Sequence, residues 1–237
     1  MTDLGKVFDR LRVEAQGLFG RELVSLAVFG SAATADFHPG TSDINAVLVL
    51  TETALAQLRK CQELCRRLKK FRLAAPLVMT EAFIRTSADV FPIEFLEIKE
   101  KHRLLAGKDC FSRLKIDLKN LRHECEHELK GRLLRLRQSY MEVGRRPRSV
   151  QSLLLAAHSA NYPAFRTALR LKKLKPPLDQ GAILDAIAAR FGLDGTVLSR
   201  VRQLRRGELR LGAVEITELF EKYSEEVAKL AQAVDRL

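Results

Sequence analysis

The chain of 237 residues carries 41 Lys and Arg against 29 Asp and Glu, a formal net charge of +12, with 46% apolar and 30% charged residues. That balance excludes collagenous, disordered and membrane-spanning classes, and the length suffices for one large domain or two modest ones, each with its own hydrophobic core. No stretch approaches the roughly 20 apolar residues of a spanning helix, the first residues lack a signal-peptide pattern, and the four cysteines form no CxxC pair, so the expected address is the cytoplasm with reduced thiols.

Leu4, Val7, Phe8, Leu11, Ala15 and Leu18 recur at helical spacing and stop at Gly20, which predicts an amphipathic first helix. Leu23 to Phe29, closed by Gly30, and Ile44 to Leu50 have the length and composition of buried strands, with the turn-forming segment Ser31 to Ser42 between them. Thr51 is expected to cap a helix from Glu52 to Phe71 that buries Leu55, Leu58, Cys61, Cys65 and Leu68. After Pro76, Leu77 to Thr80 reads as extended, and Phe91 to Ile98 as a strand carrying Glu94 and Glu97.

From Asp117 onward the strand signals end. Leu118, Leu121, Cys125, Leu129, Leu133, Leu136 and Tyr140 mark one long helix, and breaks at Gly144 to Pro147, Pro163, Pro176-Pro177, Gly192 to Gly195 and Gly212 divide the rest into shorter helices, ending with one near Val214 to Leu237. The expected class is α+β: a mixed sheet with flanking helices in residues 1–115, then an all-α helical bundle in residues 116–237. Residues 1–115 hold 18 basic and 14 acidic side chains, residues 116–237 hold 23 and 15, so the helical half is the more cationic.

The most specific signal is Val28-Phe29-Gly30-Ser31-Ala32-Ala33, followed after a loop by Thr41-Ser42-Asp43-Ile44-Asn45-Ala46-Val47. A strand that ends in Gly-Ser and opens a short helix offers backbone N–H groups and a hydroxyl to the phosphates of a nucleotide. At strand spacing, positions 43 and 45 face the same way and can converge on one ligand. This stretch resembles the polymerase-β-like nucleotidyltransferase superfamily: Gly-Ser, a spacer of about ten residues, then Asp-hydrophobic-Asp/Glu-hydrophobic. Phe91 to Asp109, with Lys99, His102, Arg103, Gly107, Lys108 and Asp109, looks like that of bacterial stand-alone members. The resemblance implies a nucleotidyltransferase-like domain, followed by an accessory helical bundle that forms the other wall of a cleft.

The activity so implied is transfer of a nucleoside monophosphate from a nucleoside triphosphate to an acceptor that the sequence does not identify. Gly30, Ser31 and Ser42 would bind the nucleotide, while Asp43 and Glu94, the latter flanked by apolar residues in Ile93-Glu94-Phe95, would be catalytic and hold Mg²⁺ with Asn45. The family usually has a second carboxylate where Asn45 stands. Two-metal transfer needs a concentration of negative charge, and losing one unit charge at about 4 Å forfeits an interaction of order 4 kcal/mol at an effective dielectric near 20. The alternative expectation is therefore a catalytically weakened or inactive nucleotidyltransferase-fold protein with a binding or regulatory role.

His123-Glu124-Cys125-Glu126-His127 matches the HExxH pattern of zinc proteases, but Arg122, Glu126 and Glu128 around it, and Cys125 on the apolar stripe, favour a solvated helix face. Two arginine runs, Arg132 to Arg148 and Arg200 to Arg210, offer phosphate-pairing groups to a nucleotide, an anionic acceptor or nucleic acid. Three tyrosines and no tryptophan supply little stacking surface for single strands.

Overall fold

The computed structural model describes residues 4–34, 37, 43–144 and 146–237. The chain is α+β and divides into two units, Met1–Ile116 and Asp117–Leu237. No helix among the described residues is long and apolar enough to cross a membrane.

The first unit runs α1 (Leu4–Phe19), β1 (Leu23–Phe29), β2 (Asn45–Leu50), α2 (Leu55–Leu68), β3 (Leu77–Met79), α3 (Glu81–Thr86), α4 (Pro92–Glu100) and β4 (His102–Gly107). The strands form one mixed sheet in the order β3-β2-β1-β4, with β1 antiparallel to β2 and β4, and β2 parallel to β3. Strand alternation sorts the apolar side chains into two layers. Leu26, Val28, Ala46, Leu48 and Leu50 cluster with Phe8 and Leu11 of α1 and Leu64 and Leu68 of α2. Ala27, Val47 and Val49 cluster with Ile84 of α3, Phe95 and Ile98 of α4, and Phe111. Glu14 on α1 and Arg67 on α2 tie the first layer together at 2.7 Å.

Two helices depart from the sequence pattern. The segment expected as a strand, Phe91 to Ile98, is α4, and the last strand of the sheet is His102–Gly107 instead. Ile93, Phe95 and Ile98 are buried at positions that serve a helix as well as a strand, and Pro92, which has no N–H to give a ladder, suits the first helical turn. The helix expected from a Thr51 cap starts only at Leu55, with Ala54 at its N-cap; the Thr51 N–H donates to the Glu22 carbonyl at 3.0 Å instead. Its buried stripe is Gln57, Cys61, Leu64 and Leu68, which leaves Leu55 and Leu58 at 63% and 42% exposure and Cys65 half-buried.

The second unit contains α5 (Leu118–Val143), α6 (Pro147–Leu171), α7 (Gln180–Phe191), α8 (Gly195–Arg206) and α9 (Ala213–Asp235), with α6 packed against the other four. Asp117, Asp179 and Asp194 cap α5, α7 and α8 through side-chain oxygens, and the chain breaks after Val143, Leu171, Phe191 and Arg206. Pro163 does not break α6. The run from Asn161 to Arg170 is buried at every position except Pro163, so surrounding helices hold it helical despite the lost donor, and the Arg132 guanidinium on α5 donates to the nearby Ala160 carbonyl.

Candidate functional site

Three of the residues with phosphate-binding or metal-binding patterns, Gly30, Asp43 and Asn45, lie at the end of the sheet where β1 finishes and β2 begins. Phe29 pairs with Asn45 on one side and with His102 on the other. The chain leaves β1 through Gly30, at φ +70°, into a 3₁₀ turn over Gly30–Ala33, which Thr34 closes by donating its N–H to the Ser31 carbonyl at 3.1 Å. A Cβ at Gly30 would stand 3.5 Å from Asn45 Nδ2, so the Asn45 amide lies against the glycine. Asp43 shares the Asn45 side of the chain, because Ile44 between them is buried in the layer that faces α1 and α2. The structure therefore brings Gly30, Asp43 and Asn45 to one sheet end, with Ser31 next in the turn; Ser42 lies outside the described residues.

Two features change what this end of the sheet offers. The Gly30 N–H, a phosphate donor by sequence, donates to the Lys101 carbonyl at 3.1 Å, just after α4. Asp43, a metal ligand by sequence, receives the Arg72 guanidinium on one oxygen, Nε at 3.0 Å and Nη2 at 2.8 Å. Arg72 follows the short 3₁₀ turn Lys69–Phe71 and adopts the left-handed conformation at φ 59°. Its N–H donates to the Lys69 carbonyl and its own carbonyl accepts from Ile44, while the Ile44 carbonyl accepts from Ala74. Arg72 is thereby locked beside the start of β2. Sequence reasoning missed it, since an arginine after a basic run carries no periodic signal; only the parallel approach of Leu73 to Ile44 places it at the site.

Glu94 is not on a strand next to Asp43, as the apolar flanks suggested. It is exposed on α4, about two helical turns before Lys101. Glu97, a turn closer, is half-buried. On the side of β2 away from β1 lie the isolated bridge of Leu73 to Ile44 and then β3, Leu77-Val78-Met79, none of which carries a carboxylate. Among the described residues no group of three His, Cys, Asp or Glu side chains could hold a metal ion. Among the described residues, the side chains that β2 brings to the sheet end are one carboxylate already paired with a cation, Asp43, and one neutral amide, Asn45. This set does not fit the two-Mg²⁺ centre that the resemblance implies.

His102 and Asp109 form a second polar pair on the α4 side. His102 Nδ1 lies 2.9 Å from the Ile98 carbonyl and Nε2 lies 3.3 Å from Asp109 Oδ1, with the ring 6.0 Å from that of Phe111. Burial pushes the Asp109 carboxyl up, but hydrogen bonds from the Ser112 hydroxyl and from the Ser112 and Phe111 N–H groups, with the nearby His102, outweigh it and hold the group well below the usual carboxylate range. The pair fastens the end of α4 to the turn after β4.

In the helical unit, the HExxH pattern is solvated. His123 and His127 are exposed, Cys125 is buried, and Glu126 is occupied by Arg122 at 2.9 Å and Lys130 at 2.5 Å. Of the two arginine runs, Arg145 lies outside the described residues, Arg132 pairs with Glu128 at 2.6 Å, and Arg206 with Glu208 at 3.0 Å. Arg202 packs its guanidinium onto Gly181 at the start of α7, where a Cβ would come within 2.8 Å of it.

No protein-family model matches the chain, and no curated protein matches it significantly.

Proposed function

We propose that the first unit is a nucleotidyltransferase-like domain that binds the phosphates of a nucleoside triphosphate without two-metal transfer, so that the protein acts as a binding or regulatory module. The observation that carries this reading is the Asp43–Arg72 pair, with the neutral Asn45 at the neighbouring position where a second carboxylate would be needed. The glycine turn, the antiparallel β1–β2 register and the common side of Asp43 and Asn45 support a phosphate site at this end of the sheet. The test is calorimetry with ATP on the full chain, combined with an assay for pyrophosphate release. Binding without pyrophosphate release is expected; release at a rate that depends on enzyme concentration, or no binding at all, overturns the reading.

A second reading, transfer of a nucleoside monophosphate with Mg²⁺ to an unknown acceptor, draws on one specific observation. The Asp43 and Arg72 side chains are 57% and 47% exposed, and an ion pair so solvated contributes about 0–1 kcal/mol. A divalent cation arriving with the triphosphate would then compete for Asp43. The same pyrophosphate assay, run on wild type and on Asn45→Asp, separates the readings: turnover by wild type supports transfer, and turnover gained only by Asn45→Asp supports the binding module.

A further inference from the structure

We infer that His123 and His127 form a two-imidazole site on α5 for a divalent transition-metal ion of the zinc, nickel and copper group. The site belongs to the helical unit and does not depend on the nucleotide-binding reading above. The helix sets its spacing. Residues four apart lie one above the other on one face, with Cβ atoms about 5–6 Å apart. Two imidazoles so placed can each bring a nitrogen to the roughly 2.0–2.1 Å of a Zn–N bond on a shared ion. Packing, and not the motif alone, decides which way the pair faces. Leu121, Cys125 and Leu129 are buried at the same four-residue interval, and each histidine stands two residues beyond one of them. Both therefore leave the buried stripe on the same side, and both are exposed.

The neighbouring side chains are consistent with ligation by nitrogen. Glu126 is held by Arg122 at 2.9 Å and Lys130 at 2.5 Å, and Glu128 by Arg132 at 2.6 Å. Cys125 is buried with its Sγ 3.5 Å from the Ala164 carbonyl, and burial pushes its thiol up to about 12, so it supplies no thiolate here. His123 Nδ1 meets Arg122 Nη2 at 3.5 Å, beyond the usual range of a hydrogen bond, and an exposed ring gives up that contact readily when it turns to an ion. Imidazole suits Zn²⁺, Ni²⁺ and Cu²⁺, whereas Mg²⁺ and Ca²⁺ take oxygen ligands. Among the described residues no group of three His, Cys, Asp or Glu could hold a metal ion, so the remaining coordination positions fall to water or to an anion. That separates the pair from an HExxH catalytic centre, which has three protein ligands, and makes it a binding site.

The experiment is calorimetric titration of the full chain, carrying no added histidine tag, with Zn²⁺, Ni²⁺ and Mg²⁺. It is run on wild type, His123→Asn, His127→Asn and the double variant, with a melting curve for each in EDTA and in metal. Wild type is expected to bind Zn²⁺ and Ni²⁺ but not Mg²⁺, and to melt at a higher temperature with Zn²⁺ or Ni²⁺, because the folded helix holds the two rings at ligating distance. Each single variant is expected to bind at least about 10-fold more weakly, the loss of one arm of the chelate, and the double variant to melt at the same temperature with and without metal. The Co²⁺ spectrum of wild type, which needs no variant, is expected to lack the charge-transfer absorption of a thiolate ligand. Absence of Zn²⁺ and Ni²⁺ binding by wild type, thiolate absorption from the bound Co²⁺, or unchanged affinity in either folded single variant or in the double variant overturns the inference.

Discussion

The Gly30 amide donates to the Lys101 carbonyl at 3.1 Å, so the exit from β1 is stitched to the entry of β4 at the point where a phosphate loop was expected to present a free donor. Gly30 holds this position at φ +70°, in the left-handed region. Gly30→Ala would place its Cβ at ordinary contact distance from Asn45 Nδ2, 3.5 Å, so the backbone conformation decides the cost. A loss of about 1–2 kcal/mol is expected, measurable by urea denaturation. No loss would mean that the turn relaxes freely.

The buried face of α2 gives a sharper test of the packing. Leu64 is fully buried and Leu55 is 63% exposed. Leu64→Ala is therefore expected to destabilise the protein by about 2–5 kcal/mol, and Leu55→Ala by no more than about 0.5 kcal/mol. Equal losses would place the helix one face round from the arrangement described above.

In the helical unit, Asn161 Nδ2 on α6 donates to the Tyr223 hydroxyl on α9 at 2.9 Å, with both residues buried. Tyr223→Phe removes the acceptor and leaves the amide donor stranded, which is expected to cost about 1–3 kcal/mol. Asn161→Leu in the Tyr223→Phe background is expected to cost less than the two single changes together, a coupling that a double-mutant cycle reads directly.

His158, fully buried on α6, has its Nε2 3.2 Å from the Tyr162 hydroxyl and its ring against those of Tyr162 and Tyr223. Burial, then the charge of Arg205, brings its pKa down from 6.5 to about 4. The folded protein therefore keeps the ring neutral at pH values where the unfolded chain protonates it. The stability that the neutral ring contributes is complete above about pH 6.5 and is lost as pH falls towards 4, because the unfolded state binds more protons in that window. Between pH 7 and pH 4.5 the loss from this group is about 2 kcal/mol. His158→Gln should lack it, so the stability difference between wild type and variant should narrow by that amount across this range in chemical denaturation.

Much of the architecture was legible because local rules and tertiary packing agreed. The period of Val7, Phe8, Leu11 and Ala15 is that of α1, the apolar run Leu23 to Phe29 is β1 residue for residue, and the helical period from Leu118 to Tyr140 is that of α5. Where the reading failed, two patterns were compatible with the same residues. Ile93, Phe95 and Ile98 serve a strand or a helix, and Leu55 and Leu58 share a helical stripe with Cys65 that is not the stripe the sheet covers.

The sequence by itself determined that the chain folds as α+β, that β1 ends in a glycine turn, and that position 45 carries an amide where the resembling family has an acid. Only the tertiary structure decided what surrounds Asp43. The parallel approach of Leu73 to Ile44 brings Arg72 to the start of β2 from 29 residues away, and the closure of β4 onto β1 takes up the Gly30 amide. Both are contacts between segments far apart in sequence, and a local pattern shows that a segment is a strand or a turn without showing which distant segment it meets.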